Sequence, residues 1–122
     1  MTRSPEVLLI EDDCDLADVI VEVLETEGYR VNYAPDGRAA LTVLAEGKLP
    51  EVILLDLMMP NMNGWEFRVA QLGDQRLKKI PVIVLSATGE RARPIDAALV
   101  LRKPVTLDAL LSAIAKFTKA SR

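Results

Sequence analysis

The sequence predicts an α/β fold: a doubly wound parallel sheet of five strands with helices on both faces. Three observations lead there. Short apolar runs alternate five times with segments of helical periodicity. The runs at residues 7–10, 52–55 and 99–101 are apolar at every position, as strands buried on both faces are. Charged residues stand just past each run: Glu11-Asp12-Asp13, Asp56 and Lys103-Pro104. In an open α/β sheet, ligands bind outside the carboxyl ends of the strands.

The elements follow in order. The first strand is placed at residues 6–10. A helix from Asp13 or Asp15 to Glu27 carries Leu16, Val19, Ile20, Val23 and Leu24 at i, i+3, i+4, i+7 and i+8, one apolar helical face. Gly28 suits its C-terminal cap. Residues 29–33 alternate and read as a shorter, more exposed strand. Pro35-Asp36-Gly37 is a turn, and residues 38–46 form a short helix with Ala40, Leu41 and Leu44 inward. The third strand is 52–55, central in the sheet. A loop at 58–64 holds Pro60, Asn61, Asn63 and Gly64, with the last two as turn and cap residues. Residues 65–72 are helical, with Trp65 on a half-buried surface. The fourth strand is 82–85, with Pro81 tolerated at its start, and the fifth is 98–101. Thr106 N-caps a final helix over 107–119, whose Leu107, Leu110, Leu111 and Ile114 face inward.

The 122 residues suffice for one domain with one core, and the chain's stop soon after the last helix predicts that no second domain follows. With 50% hydrophobic and 27% charged residues, disorder is excluded. A net charge of −3 gives no basic footprint for nucleic acid. No apolar run approaches the roughly 18 to 20 residues a bilayer requires, and the N-terminus lacks an apolar signal core, so a cytoplasmic location is expected. The single cysteine, Cys14, rules out a disulfide framework. The absence of histidine removes Ser-His and Cys-His nucleophiles and His-ligated zinc. The chemistry must come from carboxylates, Lys, Ser or Thr.

Right-handed crossovers with strand order 2-1-3-4-5 set strands one and three side by side at the switch point. That brings Asp12, Asp13 and Asp56 within reach of one another. Carboxylates gathered with one ammonium repel unless a cation joins them, which suits a divalent metal and a phosphoryl group. An acidic cluster at the start of a helix also suits N-capping, and the two roles are compatible. Glu11 and Asp15 read as plain surface charges.

Five segments together carry a family pattern: Val7-Leu8-Leu9-Ile10-Glu11-Asp12-Asp13, Ile53-Leu54-Leu55-Asp56-Leu57-Met58-Met59-Pro60, Asn63-Gly64, Val84-Leu85-Ser86-Ala87 and Lys103-Pro104. In order and at the expected strand ends, they resemble the receiver domain of two-component response regulators, over nearly the whole chain. The resemblance implies a flavodoxin-like (βα)5 three-layer sandwich and one receiver domain over 1–122 without an output domain. It makes Asp56 the phosphoacceptor, taking a phosphoryl group from a phosphohistidine to give an aspartyl-phosphate. Mg²⁺, which takes octahedral oxygen ligands and keeps several waters, would be held by Asp13 and Asp56 directly, by the backbone carbonyl of Met58, and by Asp12 partly through water. Lys103 would pair Asp56 and then a phosphoryl oxygen. Ser86 would donate its hydroxyl to the phosphoryl group. Met58, Ala87 and Thr88 would tune access of water. The Lys103-Pro104 peptide is often cis in this family. The implied partners are a sensor histidine kinase or phosphotransfer protein and a downstream protein target, with no direct nucleic acid and no membrane. The domain would catalyse only its own phosphorylation and hydrolysis, so it is not expected to be an enzyme acting on a small substrate.

Two departures from the pattern stand out. The family often has Tyr or Phe three residues before the lysine, where this chain has Val100. Only 17 positions separate Ser86 from Lys103, shorter than usual by about one helical turn, and Arg91-Ala92-Arg93-Pro94 interrupts the stretch. The helix between strands four and five is therefore expected to be short or missing, which puts dimerisation and DNA-related output through that face in doubt. Two competing functions are an interaction module that binds its partner whether or not it is phosphorylated, motivated by these departures, and a small aspartyl-phosphate phosphatase. The phosphatase wants a general acid two positions after its nucleophile, where this chain has Met58.

Overall fold

The computed structural model describes residues 5–47, 49–87 and 95–118. Five parallel strands, β1 (Glu6–Ile10), β2 (Arg30–Ala34), β3 (Val52–Asp56), β4 (Val82–Ser86) and β5 (Leu99–Arg102), form one sheet in the order β2-β1-β3-β4-β5. The helices are α1 (Cys14–Thr26), α2 (Gly37–Ala45), α3 (Gly64–Leu72) and α4 (Leu107–Ala115). This is the predicted flavodoxin-like architecture and strand order.

The period of two along the strands divides the core into halves. Val7, Leu9, Val52, Leu54, Ile83 and Leu85 face one side, where Ile20 and Leu24 of α1 and Leu110 and Ile114 of α4 pack on them. Leu8, Ile10, Ile53, Leu55, Val82 and Val84 face the other, beneath Ala40 and Leu44 of α2 and Phe67 of α3. β3 is buried at all five positions, which is why its sequence is an unbroken apolar run ending in Asp56.

Local chemistry fixes the helix ends. Asp13 caps α1, and its carboxylate accepts from the amides of Asp15 and Leu16. At the other end Gly28 adopts a φ of 97°; its amide donates to the Glu25 carbonyl and the Tyr29 amide to the Leu24 carbonyl, a Schellman closure. β2 consequently starts one residue later than expected, at Arg30, and Tyr29 turns inward with its hydroxyl 3.4 Å from Thr118 Oγ1. Asp36 caps α2. Asn63 and Glu66 form a capping box on α3. Thr106 caps α4, which ends at Ala115, short of the expected end at Lys119, a residue outside those described.

Among the described residues there are four helices, and none lies between β4 and β5, in keeping with a short or missing helix there; the remainder of that connection, 88–94, lies outside the described residues. Thr88, expected to tune water access, falls in the same stretch.

Candidate functional site

The register determines what meets at the carboxyl edge. Ile10 lies opposite Leu55, so one step further along the two strands brings Glu11 beside Asp56. On the other flank of β3, Asp56 is opposite Leu85, and Ser86 follows at the end of β4. Lys103 directly follows β5, and its amide donates to the Ser86 carbonyl at 2.7 Å. The Lys103-Pro104 peptide is cis.

Three carboxylates and one ammonium converge. Glu11, Asp12 and Asp56 bring carboxylate oxygens within 4.8 Å of one another. Lys103 Nζ donates to Asp56 Oδ1 at 3.0 Å and lies 3.6 Å from Glu11 Oε1. Glu11 is 1% exposed and Asp56 4%, whereas Asp12 is open to solvent.

This crowding shifts protonation. Burial pushes the Glu11 carboxyl up to about 7; the charge of Asp56 adds to the rise, while the Asp13 amide and Lys103 oppose it. Burial likewise raises Asp56, against the pull of its hydrogen bond to Lys103. Burial alone would lower the Lys103 ammonium, but its bond to Asp56 and the charges of Asp56 and Glu11 outweigh that and hold it above the usual lysine value. The site therefore carries more negative charge than its single lysine neutralises.

Two expectations are corrected. Glu11 is no surface charge. Its Oε2 accepts from the Asp13 amide at 3.2 Å, and its Oε1 is buried without a hydrogen-bond partner, with Lys103 as its nearby cation. Asp13, expected to bind metal directly, lies outside the cluster: it is exposed, and its Oδ1 is engaged by two helix amides. Asp13 is spent as the N-cap of α1, so the acidic pair at the site is Glu11 and Asp12. The strand register held the missing signal, since the residue after Ile10 falls opposite Asp56.

The remaining residues sit at the rim. Ser86 is half-buried, and its hydroxyl donates to the Ala87 carbonyl at 3.3 Å. Met58 follows the buried Leu57 in the loop after Asp56 and is 60% exposed. The run at 99–101, expected to be buried on both faces, is an edge strand with alternate residues open to solvent, and Val100 is 49% exposed. Beside Lys103, an apolar groove of about 570 Å³ runs between α1 and the start of α4, lined by Leu16, Ile20, Leu85, Val105 and Leu110.

Neighbouring loops fasten the site. A Cβ on Gly64 would come within 2.8 Å of the Asp56 carbonyl oxygen, and the Gly64 amide donates to the Leu57 carbonyl, so α3 starts hard against the end of β3. Asn61 holds a left-handed φ of 65°, and its Nδ2 donates to Asp36 Oδ2 at 2.8 Å. That bond, with the Ala39 amide, keeps the Asp36 carboxyl below its ordinary value. From β2, the Tyr33 hydroxyl donates to the Glu11 carbonyl at 2.7 Å. Burial, with the Cys14 thiol beside it, pushes the Tyr33 phenol up to about 12.

The donor set suits a hard divalent cation. All three converging groups are oxygen donors, and the buried, unpartnered Glu11 Oε1 is a lone pair awaiting a ligand.

The model of the family described as response regulator receiver domain matches residues 7–115. Response regulator MprA of Mycolicibacterium vanbaalenii is 34% identical over 113 residues, which span 87% of this chain and 47% of that protein. The CpxR transcriptional regulatory protein of Escherichia coli is 38% identical over 69% of this chain and 34% of its own. The chain thus spans less than half the length of these curated relatives. Among solved structures, the receiver domain of the sensor histidine kinase PA1611 from Pseudomonas aeruginosa superimposes with a TM-score of 0.86 at 27% identity, over 94% of this chain and 98% of that one; it has a magnesium ion coordinated in its active-site cleft.

Proposed function

This chain belongs to the response regulator receiver domain family, and from that premise we propose that Asp56 accepts a phosphoryl group from a phosphohistidine on a sensor histidine kinase or phosphotransfer protein. The observation that carries the reading is the 3.0 Å bond from Lys103 Nζ to Asp56 Oδ1, inside a cluster of carboxylates at the carboxyl edge of the sheet. An Asp56 oxygen attacks phosphorus, the phosphorus–nitrogen bond breaks, and its electron pair leaves with the imidazole, which takes up a proton. The product is an acyl phosphate on Asp56. Hydrolysis reverses the modification: water attacks phosphorus and the Asp56 carboxylate departs. The domain catalyses these two steps on itself and has no small-molecule substrate to turn over.

Glu11, Asp12 and Asp56 would hold Mg²⁺, with the Met58 carbonyl as a further oxygen. When bound, the ion supplies positive charge against the phosphoryl oxygens. Lys103 supplies the second positive charge, held on a short leash by the Ser86 carbonyl at its own amide. Ser86 is poised at the rim to donate its hydroxyl to a phosphoryl oxygen. The groove beside Lys103 offers the donor protein an apolar surface next to the acceptor. The signal then passes by protein–protein contact in the cytoplasm.

A second reading is favoured by Val100. An exposed aliphatic side chain stands where the resemblance calls for a mobile aromatic, so phosphorylation need not be transmitted to that face, and the domain would bind its partner in either state.

Intact mass after incubation with acetyl phosphate and Mg²⁺ tests the first reading. One phosphoryl group is expected on the wild type and none on Asp56→Asn or without metal. No adduct on the wild type at saturating donor and short sampling times refutes it. Partner affinity that is equal with and without the adduct selects the second reading.

A further inference from the structure

β1 and β2 stop pairing at Ile10 and Ala34, one residue before the acidic turn begins. Glu11 lies beyond that last pair, yet both of its backbone groups are held by β2. Its amide donates to the Ala34 carbonyl at 3.1 Å, and its carbonyl accepts from the Tyr33 hydroxyl at 2.7 Å. The second bond occupies the place where another strand residue would supply an amide. A side chain has thus taken over one rung of the ladder.

That rung fixes the peptide plane between Glu11 and Asp12. The two carboxylates on either side of it leave the backbone at angles set by that plane. Glu11 has further anchors, because its Oε2 accepts from the Asp13 amide and its side chain is buried. Asp12 is exposed and depends on the backbone for its aim at Asp56. The Tyr33 ring packs against the buried cluster that includes Ala17, Val7 and Leu9, so the hydroxyl has a rigid base.

We propose that Tyr33 is a positioning residue for the metal-holding carboxylates: its hydroxyl locks the Glu11–Asp12 peptide so that Glu11, Asp12 and Asp56 are preorganised for Mg²⁺. The proposal rests on the reading that these carboxylates hold that ion. Groups that orient ligands from behind are as consequential for metal affinity as the ligands' own partners, commonly by about 10-fold or more. Here the support is to the main chain and a single neutral hydrogen bond, so the effect falls at or below the low end of that range.

The test compares wild type, Tyr33→Phe and Tyr29→Phe. Tyr33→Phe keeps the ring and its packing and removes only the hydroxyl. Tyr29→Phe removes the other phenolic hydroxyl, whose partner is Thr118. Mg²⁺ affinity is measured by titration calorimetry, and phosphorylation by acetyl phosphate is followed as a function of Mg²⁺. Tyr33→Phe is expected to raise the Mg²⁺ Kd about five- to tenfold. Its phosphorylation rate at saturating Mg²⁺ should stay within about twofold of wild type, because the bound ion re-imposes the geometry. Tyr29→Phe should leave the Kd unchanged. An unchanged Kd in Tyr33→Phe, or an equal rise in Tyr29→Phe, overturns the proposal. A weakened Kd in Tyr33→Phe with no adduct on any variant supports the positioning role and removes the phosphoacceptor reading instead.

Discussion

Replacing Glu11 by Gln tests the electrostatic account of the site most directly. The Glu11 carboxyl rises from 4.5 to about 7 on folding, chiefly through burial and then through the charge of Asp56. The native state therefore keeps a proton that the unfolded chain has released, and stability falls as pH climbs between those two values. At about 1.4 kcal/mol for each tenfold change in proton activity, the loss is roughly 3 kcal/mol by pH 7 and levels off above it. Glu11 is 1% exposed, so solvent screening takes little from this figure. A glutamine fills nearly the same volume, and its amide can still accept from the Asp13 backbone. The variant should match the wild type near pH 4 and exceed it by roughly 3 kcal/mol at pH 8, a gap of roughly 10 °C in Tm for a domain of this size. Lys103 does not confuse the comparison, because its raised pKa acts only above the ordinary lysine value. Asp56 slopes in the same direction as Glu11, but it is raised by burial and by Asp12, which both proteins share, so its slope is common to the two profiles. Thermal melts from pH 4 to 8 in metal-free buffer read the difference. Parallel profiles for the two proteins would refute the assignment of a buried, charge-crowded Glu11. Millimolar Mg²⁺ should erase the advantage of the variant, since the ion stabilises the ionised wild-type site.

Three further outcomes follow from the same geometry. Asp13→Ala removes the α1 cap and should cost about 1 kcal/mol, whereas Asp13→Asn should keep most of it; both should hold the Mg²⁺ Kd within about twofold of wild type by calorimetry, because Asp13 stands outside the carboxylate cluster. Gly64→Ala forces a Cβ against Leu57 and the Asp56 carbonyl, so urea melts should show a loss of about 1 to 3 kcal/mol. Lys103→Met removes the cation bonded to Asp56 and should slow phosphorylation by acetyl phosphate about 10²-fold at saturating Mg²⁺, as read by mass.

The fold was legible because strand burial is written twice in the sequence. β3 is apolar at its first four positions because it is covered on both faces, and its burial pattern has no gap. α1 shows one apolar face because it has sheet on one side only, with Ala17, Ile20 and Leu24 buried. Caps were legible where one residue type dominates the chemistry, as at Gly28 and Thr106. Boundaries shifted by one residue where a cap rather than an apolar side chain sets the limit, as at Asp36, which starts α2 at Gly37.

The site was legible in its residue types and less so in its register. A run of three acids offers two overlapping pairs, and composition does not choose between them. Two backbone facts do. The strand register carries Glu11 alongside Asp56, and the first helical turn consumes the carboxylate of Asp13. Burial then acts on the pair unequally: Glu11 is enclosed and its proton affinity rises, while Asp12 stays in solvent. The supporting contacts left no sequence signal of their own. Tyr33 reads as one more alternating residue of an edge strand, and Asn61 as one more loop residue. Each becomes informative only when its partner is known, the Glu11 carbonyl for one and the Asp36 carboxylate for the other. In each pair one member, Tyr33 or Asp36, comes from the β2–α2 side of the sheet. The edge that holds the two acidic loops in place is therefore the one opposite β5, where Val100 is exposed. The Tyr33 and Asp36 contacts and the exposed Val100 thus lie on opposite flanks of the sheet. On the proposed function, substitutions at exposed Val100 should leave phosphoryl acceptance intact, whereas Lys103, which follows the same strand and bonds Asp56, tolerates no such change.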